Sequence, residues 1–104
     1  MSEIEDCPPE PAVEGAKSRK FPIINRKGLH ARATAKFVQC VERFDAAIKV
    51  AKCGEMVGGD SIMGILTLGA GVGSTITVYA SGVQAEAALD ALQNLVASRF
   101  GEDE

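Results

Sequence analysis

Apolar positions change period several times along this chain, and each change marks a predicted element. "KFPIIN" (20–25) is nearly continuous in apolar residues and reads as a first strand, with Pro22 placing it at a sheet edge or a strand start. From His30 to Phe44 the apolar positions Ala33, Phe37, Cys40, Val41 and Phe44 recur every three to four residues, which predicts a helix with one buried stripe. "AAIKVAK" (46–52) alternates and reads as a strand, and "CGEMVGG" (53–59) adds a turn and a short strand, making a hairpin. Asp60 and Ser61 are N-cap candidates for a short helix over 60–69 that stops at Gly69. "GVGSTITVYAS" (71–81) alternates strictly and predicts a strand. Ala85, Leu89, Leu92, Val96 and Phe100 then share a helical face, so the longest helix is expected over 83–100.

The predicted order is β-α-β-β-α-β-α. Two long amphipathic helices need one sheet face to cover, which makes a two-layer α+β domain. The other sheet face is expected to stay open to water, as antiparallel sheets permit. Residues 1–18 stand apart. The stretch 1–16 holds five acids, no base and three prolines, a composition that predicts a disordered acidic tail ahead of a folded domain over 19–104.

Composition narrows the chemistry. At 104 residues the chain has room for one modest core, and with no Trp, one Tyr and four Phe that core is mainly aliphatic. A net charge of -3 argues against a nucleic-acid binder, which needs dense Lys and Arg to meet phosphates. The basic residues Lys17, Arg19, Lys20, Arg26 and Lys27 read as a solvated group. Cys7, Cys40 and Cys53 are odd in number and lack a C-x-x-C pair, so neither a disulfide framework nor a zinc site is expected, and a reducing cytoplasmic setting fits. No run is apolar enough for a membrane span. "GAGVG" (69–73) precedes a strand instead of following one, so it reads as a turn and not a nucleotide loop.

His30 is the one histidine, and "NRKGLHARATAKFV" (25–38) sets it where the first helix begins. Gly28 lets the backbone turn sharply just before it. The start of a helix leaves several N–H groups without partners, and such an end attracts anions and disfavours a positive imidazolium. Arg32 is a permanent cation within reach. A neutral imidazole beside a phosphate receptor suits a histidine that accepts a phosphoryl group. No Asp or Glu lies in the immediate stretch to orient the ring, and no second histidine is present for a metal. Nothing marks a nucleophilic serine elbow.

"GLHARATAKFV" resembles the active-site motif of HPr, the histidine phosphocarrier family of the bacterial phosphoenolpyruvate-dependent phosphotransferase system. "GGDSIMGILTLGAGVGSTITVYASG" resembles that family's second signature, around a regulatory serine, and the wording "LHARA" is most similar to its nitrogen-related or alphaproteobacterial-type branch. The resemblance covers about residues 20–100. It implies an open-faced β-sandwich, a four-stranded antiparallel sheet with three helices on one face. It implies phosphorylation of His30 on Nδ1 by Enzyme I, charge balance from Arg32 and the helix amides, and transfer to a IIA-type protein. No cofactor and no metal are implied. The protein is then a cytoplasmic, monomeric carrier and not a turning-over enzyme.

Three departures from the family pattern carry expectations. Ala33 stands where many members have proline, which loosens the first helical turn slightly. Gln39 and Glu42 stand on faces where many relatives carry lysines, which predicts weaker docking to a sugar-type Enzyme I. The acidic tail is additional to the usual family length.

Ser61 reads as a helix N-cap worth ~1 kcal/mol, and by resemblance as a regulatory site for an HPr kinase/phosphorylase. A phosphate there sits at a helix start and adds charge to a docking surface. Resemblance also places Ala31, Arg32, Ala35, Ile62, Met63 and Leu66 in the partner-binding surface, with Ile65 and Leu68 turned inward. Two other readings compete. One is an HPr-like regulatory binding protein that acts through Ser61 without a phosphohistidine relay. The other is a small-molecule-sensing α+β domain of ferredoxin-like type, which would need a pocket at a dimer interface.

Overall fold

The computed structural model describes residues 15–102. Four strands and three helices alternate in the predicted order: β1 (Lys17–Pro22), α1 (Ala31–Val41), β2 (Ala47–Lys52), β3 (Glu55–Gly58), α2 (Ile62–Thr67), β4 (Thr75–Ser81) and α3 (Ala85–Ala97). A short 3-10 turn, Arg99–Gly101, follows. The sheet order is β1-β4-β2-β3 and every pairing is antiparallel. β4 therefore runs through the middle, and β1 and β3 are the edges. That position suits Pro22, which donates no ladder hydrogen bond, on β1.

One face of the sheet carries Phe21, Ile48, Val50, Ile76, Val78 and Ala80, all buried in a core with Ala33 and Phe37 of α1 and Leu89, Leu92 and Val96 of α3. The helical stripes read from the sequence are the ones that meet this face. Phe37, Val50, Ile65, Ile76 and Leu92 have no solvent exposure at all. Burying a side chain of this size contributes about 1.5–3 kcal/mol.

Three boundaries differ from expectation. β1 starts at Lys17, inside the stretch assigned to the tail, because it pairs in register from Lys17 opposite Ala80 to Pro22 opposite Thr75. Residues 1–14 of that tail lie outside the described residues. Ile23 and Ile24 leave the ladder: Ile23 instead exchanges hydrogen bonds with Ser74 and Gly73 across two loops, its N–H donating to the Ser74 carbonyl at 2.8 Å. α3 ends at Ala97, since Arg99 and Phe100 take left-handed φ of 58° and 56°. Lys17 and Arg19, expected to be solvated, reach across to α3, with Lys17 2.9 Å from Glu86 and Arg19 2.7 Å from Asp90. The Lys17 hydrogen bond and charge hold the Glu86 carboxyl below its ordinary range.

The outer face of the sheet carries exposed Ser18, Lys20 and Pro22 on the edge strand β1 and exposed Lys49 on the interior strand β2. Its centre is not open as expected. Ala51, Thr77 and Tyr79 keep 1%, 8% and 7% of their accessible surface.

Candidate functional site

The site is assembled where the loop between β1 and α1 meets the C-terminal corner. Gly28 has φ of 67°, which a side chain would strain, and a Cβ there would meet the Ala70 carbonyl oxygen at 2.6 Å. The next residue, Leu29, donates its N–H to that same carbonyl at 2.9 Å. The loop is thus pinned against the segment before β4, and His30 follows as the N-cap of α1. Thr34, fully buried, donates its hydroxyl to the Leu29 carbonyl at 3.2 Å.

The two nitrogens of the His30 ring face different partners. Nδ1 accepts the backbone N–H of Arg32 at 3.2 Å. Nε2 lies 2.5 Å from Glu102 Oε2, and the two side chains keep only 27% and 17% of their exposure. A carboxylate cannot donate, so the proton is assigned to Nε2. An N–H pointing at Nδ1 likewise requires a lone pair there. The contacts therefore select the neutral tautomer with its nucleophilic nitrogen turned toward the first turn of α1.

Glu102 is the orienting acid that the sequence reading did not find, since it lies 72 positions from His30. Its other oxygen accepts from Asn25 Nδ2 at 3.1 Å, and Asn25 also donates to the Gly28 carbonyl at 2.8 Å. One buried amide thus ties the loop to the acid. Burial raises the Glu102 carboxyl, but hydrogen bonds from His30 and Asn25 and the charge of Lys27 outweigh it and hold it below its ordinary value. The corner that delivers Glu102 is built from three consecutive left-handed residues, Arg99, Phe100 and Gly101. Phe100 is fully buried there, and its carbonyl accepts from Lys36 of α1 at 2.6 Å. Left-handed backbone at non-glycine positions costs free energy and clusters at functional sites.

Arg32 and Ala31 are exposed at the start of α1, Ala35 is half-buried, and Ala33 is fully buried in the core. Ser61 caps α2, its Oγ accepting the Gly64 N–H at 3.0 Å. On α2, Met63 is 70% and Ile62 42% exposed while Ile65 and Leu68 are buried, the division expected from the sequence, with Leu66 between. α2 packs against α1 and β3.

Cys40 is a free, buried thiol pushed up by its burial, with Arg43 pulling weakly the other way. Cys53 is disulfide-bonded, against the expectation that the cysteine spacing offers no disulfide. Among the described residues no cluster of His, Cys, Asp and Glu has the makings of a metal site. No helix among them is long and apolar enough to cross a membrane.

Residues 17–98 match the family model described as the PTS HPr component phosphorylation site. The chain is 46% identical over 86 residues to phosphocarrier protein HPr of Cupriavidus necator, covering 83% of this chain and 97% of that protein. It is 40% identical over 84 residues to phosphocarrier protein NPr of Shewanella violacea, covering 81% and 92% of the two chains. Among solved structures, HPr of Thermoanaerobacter tengcongensis superposes with a TM-score of 0.81 at 41% identity, over 85% of this chain and 99% of that one. HPr of Bacillus anthracis does so with a TM-score of 0.74 at 41% identity, over 78% and 96%. With a family model matched over residues 17–98 and relatives 40–46% identical along more than nine-tenths of their own length, the chain belongs to the HPr family of phosphotransferase-system phosphocarriers.

Proposed function

We propose that His30 Nδ1 is the atom that carries the phosphoryl group, received from an Enzyme I-type protein and handed to a IIA-type protein. The observation that supports this most is the division of labour at the ring: Glu102 at Nε2 and an amide N–H at Nδ1. In the forward step the Nδ1 lone pair attacks phosphorus, the N–P bond forms, and the donor's bond to phosphorus breaks. The ring keeps its Nε2 proton and becomes cationic, and the Glu102 carboxylate balances that charge. Arg32 and the first-turn N–H groups of α1 face the new phosphate oxygens. In the return step the acceptor attacks phosphorus, the N–P bond breaks, and the neutral ring is restored. No group of the protein is consumed, and it has no turnover of its own.

Partners dock on Ala31, Arg32 and Ala35 of α1 and on Ile62, Met63 and Leu66 of α2. Exposed methionine suits a surface that must accept several partners. Ser61, poised as the N-cap of α2, is the regulatory site for an HPr kinase/phosphorylase: a phosphate there adds negative charge to the docking face and weakens binding. The carrier works as a cytoplasmic monomer, since each partner must use the same small surface in turn.

Incubation with phosphoenolpyruvate and Enzyme I tests the relay. The expected product is a base-stable, acid-labile phosphate on the wild-type chain and none on His30→Ala. An equal yield on His30→Ala, or no label with either the sugar-type or the nitrogen-type Enzyme I, would overturn it.

A further inference from the structure

Asn25 is fully buried, yet it stands between two exposed neighbours, Ile24 and Arg26, in the loop ahead of His30. Its amide uses its N–H groups within the site: Nδ2 donates to the Gly28 carbonyl at 2.8 Å and to Glu102 Oε1 at 3.1 Å. Its Oδ1 is buried and accepts nothing among the described residues. The orientation follows from chemistry, because an oxygen turned toward the Gly28 carbonyl and the Glu102 carboxylate would set acceptor against acceptor. A buried polar atom without a partner costs free energy, and an aliphatic side chain of the same size would avoid that cost. The two N–H groups are therefore what this position supplies.

The loop has other fastenings. The Gly28 N–H donates to the Asn25 backbone carbonyl at 3.1 Å, and the Leu29 N–H to the Ala70 carbonyl at 2.9 Å. Neither bond involves the Asn25 side chain. The Glu102 carboxylate depends on that side chain more. One of its oxygens faces His30 Nε2 at 2.5 Å and the other takes the Asn25 N–H. The Glu102 side chain keeps 17% of its exposure. Without the second bond it would sit partly out of water with an oxygen unpaired, and rotation into solvent would restore its hydration.

We propose that Asn25 is a positioning residue for phosphoryl transfer that acts through Glu102, holding the carboxylate against the ring so that the counter-charge stands in place before phosphorus arrives. This rests on His30 Nδ1 being the atom that carries the phosphoryl group. When the Nδ1 lone pair forms the N–P bond and the donor's bond to phosphorus breaks, Nε2 keeps its proton and the ring becomes cationic. A carboxylate already 2.5 Å from Nε2 meets that charge without moving, which is how a preorganised group lowers a barrier. The donor also has to be neutral. A lysine or arginine in the place of Asn25 would pair with Glu102 and take up the charge that the ring needs. An amide fixes the carboxylate and leaves its charge whole.

The test compares the full wild-type chain with Asn25→Leu, Glu102→Ala and the double variant. Leucine matches the amide in size and removes both donors. Asn25→Ala is read beside it, and thermal melts register which variants fold. Proton NMR of the unphosphorylated chain follows the Nε2–H of His30, which a short bond to a carboxylate shifts far downfield. The resonance is expected in wild type and absent from every variant. Labelling by phosphoenolpyruvate and Enzyme I gives the kinetics. Asn25→Leu should lower kcat several-fold with KM unchanged. The double variant should be no slower than Glu102→Ala alone, because two residues that act through one contact do not add. A downfield resonance that persists in the folded Asn25 variants, or losses that multiply in the double variant, would overturn the proposal and leave Asn25 a brace of the loop. The resonance needs no phosphate. Equal labelling of His30→Ala would therefore sink the relay reading, while the NMR arm still decides whether Asn25 holds Glu102 to the ring.

Discussion

Glu102 is the residue whose replacement reports most directly on how the His30 ring is held. Its carboxyl lies below the ordinary value of 4.5 in the folded protein. A carboxyl whose folded value is depressed adds stability that is fully present above the unfolded value and is lost as pH falls through the folded one. Glu102→Gln is therefore expected to unfold more easily than wild type near neutrality, by roughly 1 kcal/mol, the net worth of a typical hydrogen bond. The two denaturation midpoints should converge well below pH 4.5. Urea titrations across that range check it, and a gap that persists in acid would mean the loss is one of shape and not of charge. The same variant should accept phosphate several-fold more slowly, because a glutamine amide can still accept the Nε2–H through its oxygen but carries no charge to balance the cationic ring. His30, Arg32 and Ser61 were legible in the sequence because a cap is a local event: the residue, the glycine before it and the helix after it are contiguous. Glu102 was not. It stands 72 positions from His30, and only the left-handed corner at Arg99–Gly101 carries it back to the ring.

At the scale of elements, the loop into α1 and the corner after α3 hold the site from two sides. Gly28→Ala adds a Cβ at positive φ against the Ala70 carbonyl oxygen. The backbone strain alone costs about 1–2 kcal/mol, and the contact adds to it, so a drop in melting temperature together with slower phosphoryl acceptance is expected in calorimetry and labelling. Phe100→Ala empties a fully buried site and should cost about 3–5 kcal/mol, releasing Glu102 as the corner loosens. Ser61→Ala removes the α2 cap and should cost ~1 kcal/mol while leaving His30 labelling intact. If Ser61→Ala and Phe100→Ala slowed labelling equally, the corner would have no special tie to the ring. The helical stripes were legible because their period is set by burial against one sheet face. The ends were less so. Phe100 lies on the stripe of α3 by spacing, and apolar spacing cannot tell a helical residue from one that a left-handed turn brings to the same core.

For the whole molecule, the alternation of periods was enough to give the element order, and the antiparallel two-layer arrangement followed from which faces needed cover. The state of the outer face did not follow, because periodicity shows which side chains leave the helix layer and not what meets them there. The separation of faces also separates stability from docking. Met63 is 70% exposed on α2, so Met63→Glu removes no core contact and its melting temperature should match wild type within the about 0.5 kcal/mol usual for surface changes. It does place a charge on the apolar surface that the proposed partners share. A desolvated charge in an interface weakens binding without touching the reacting atoms. Phosphoryl transfer from Enzyme I should then show a KM raised roughly tenfold, the loss of about 1.4 kcal/mol of uniform binding, with kcat unchanged. His30→Ala gives the opposite signature, no transfer at any concentration. Steady-state labelling over a range of carrier concentrations distinguishes them, and a fall in kcat at constant KM for Met63→Glu would place α2 in the chemistry itself and not in the docking.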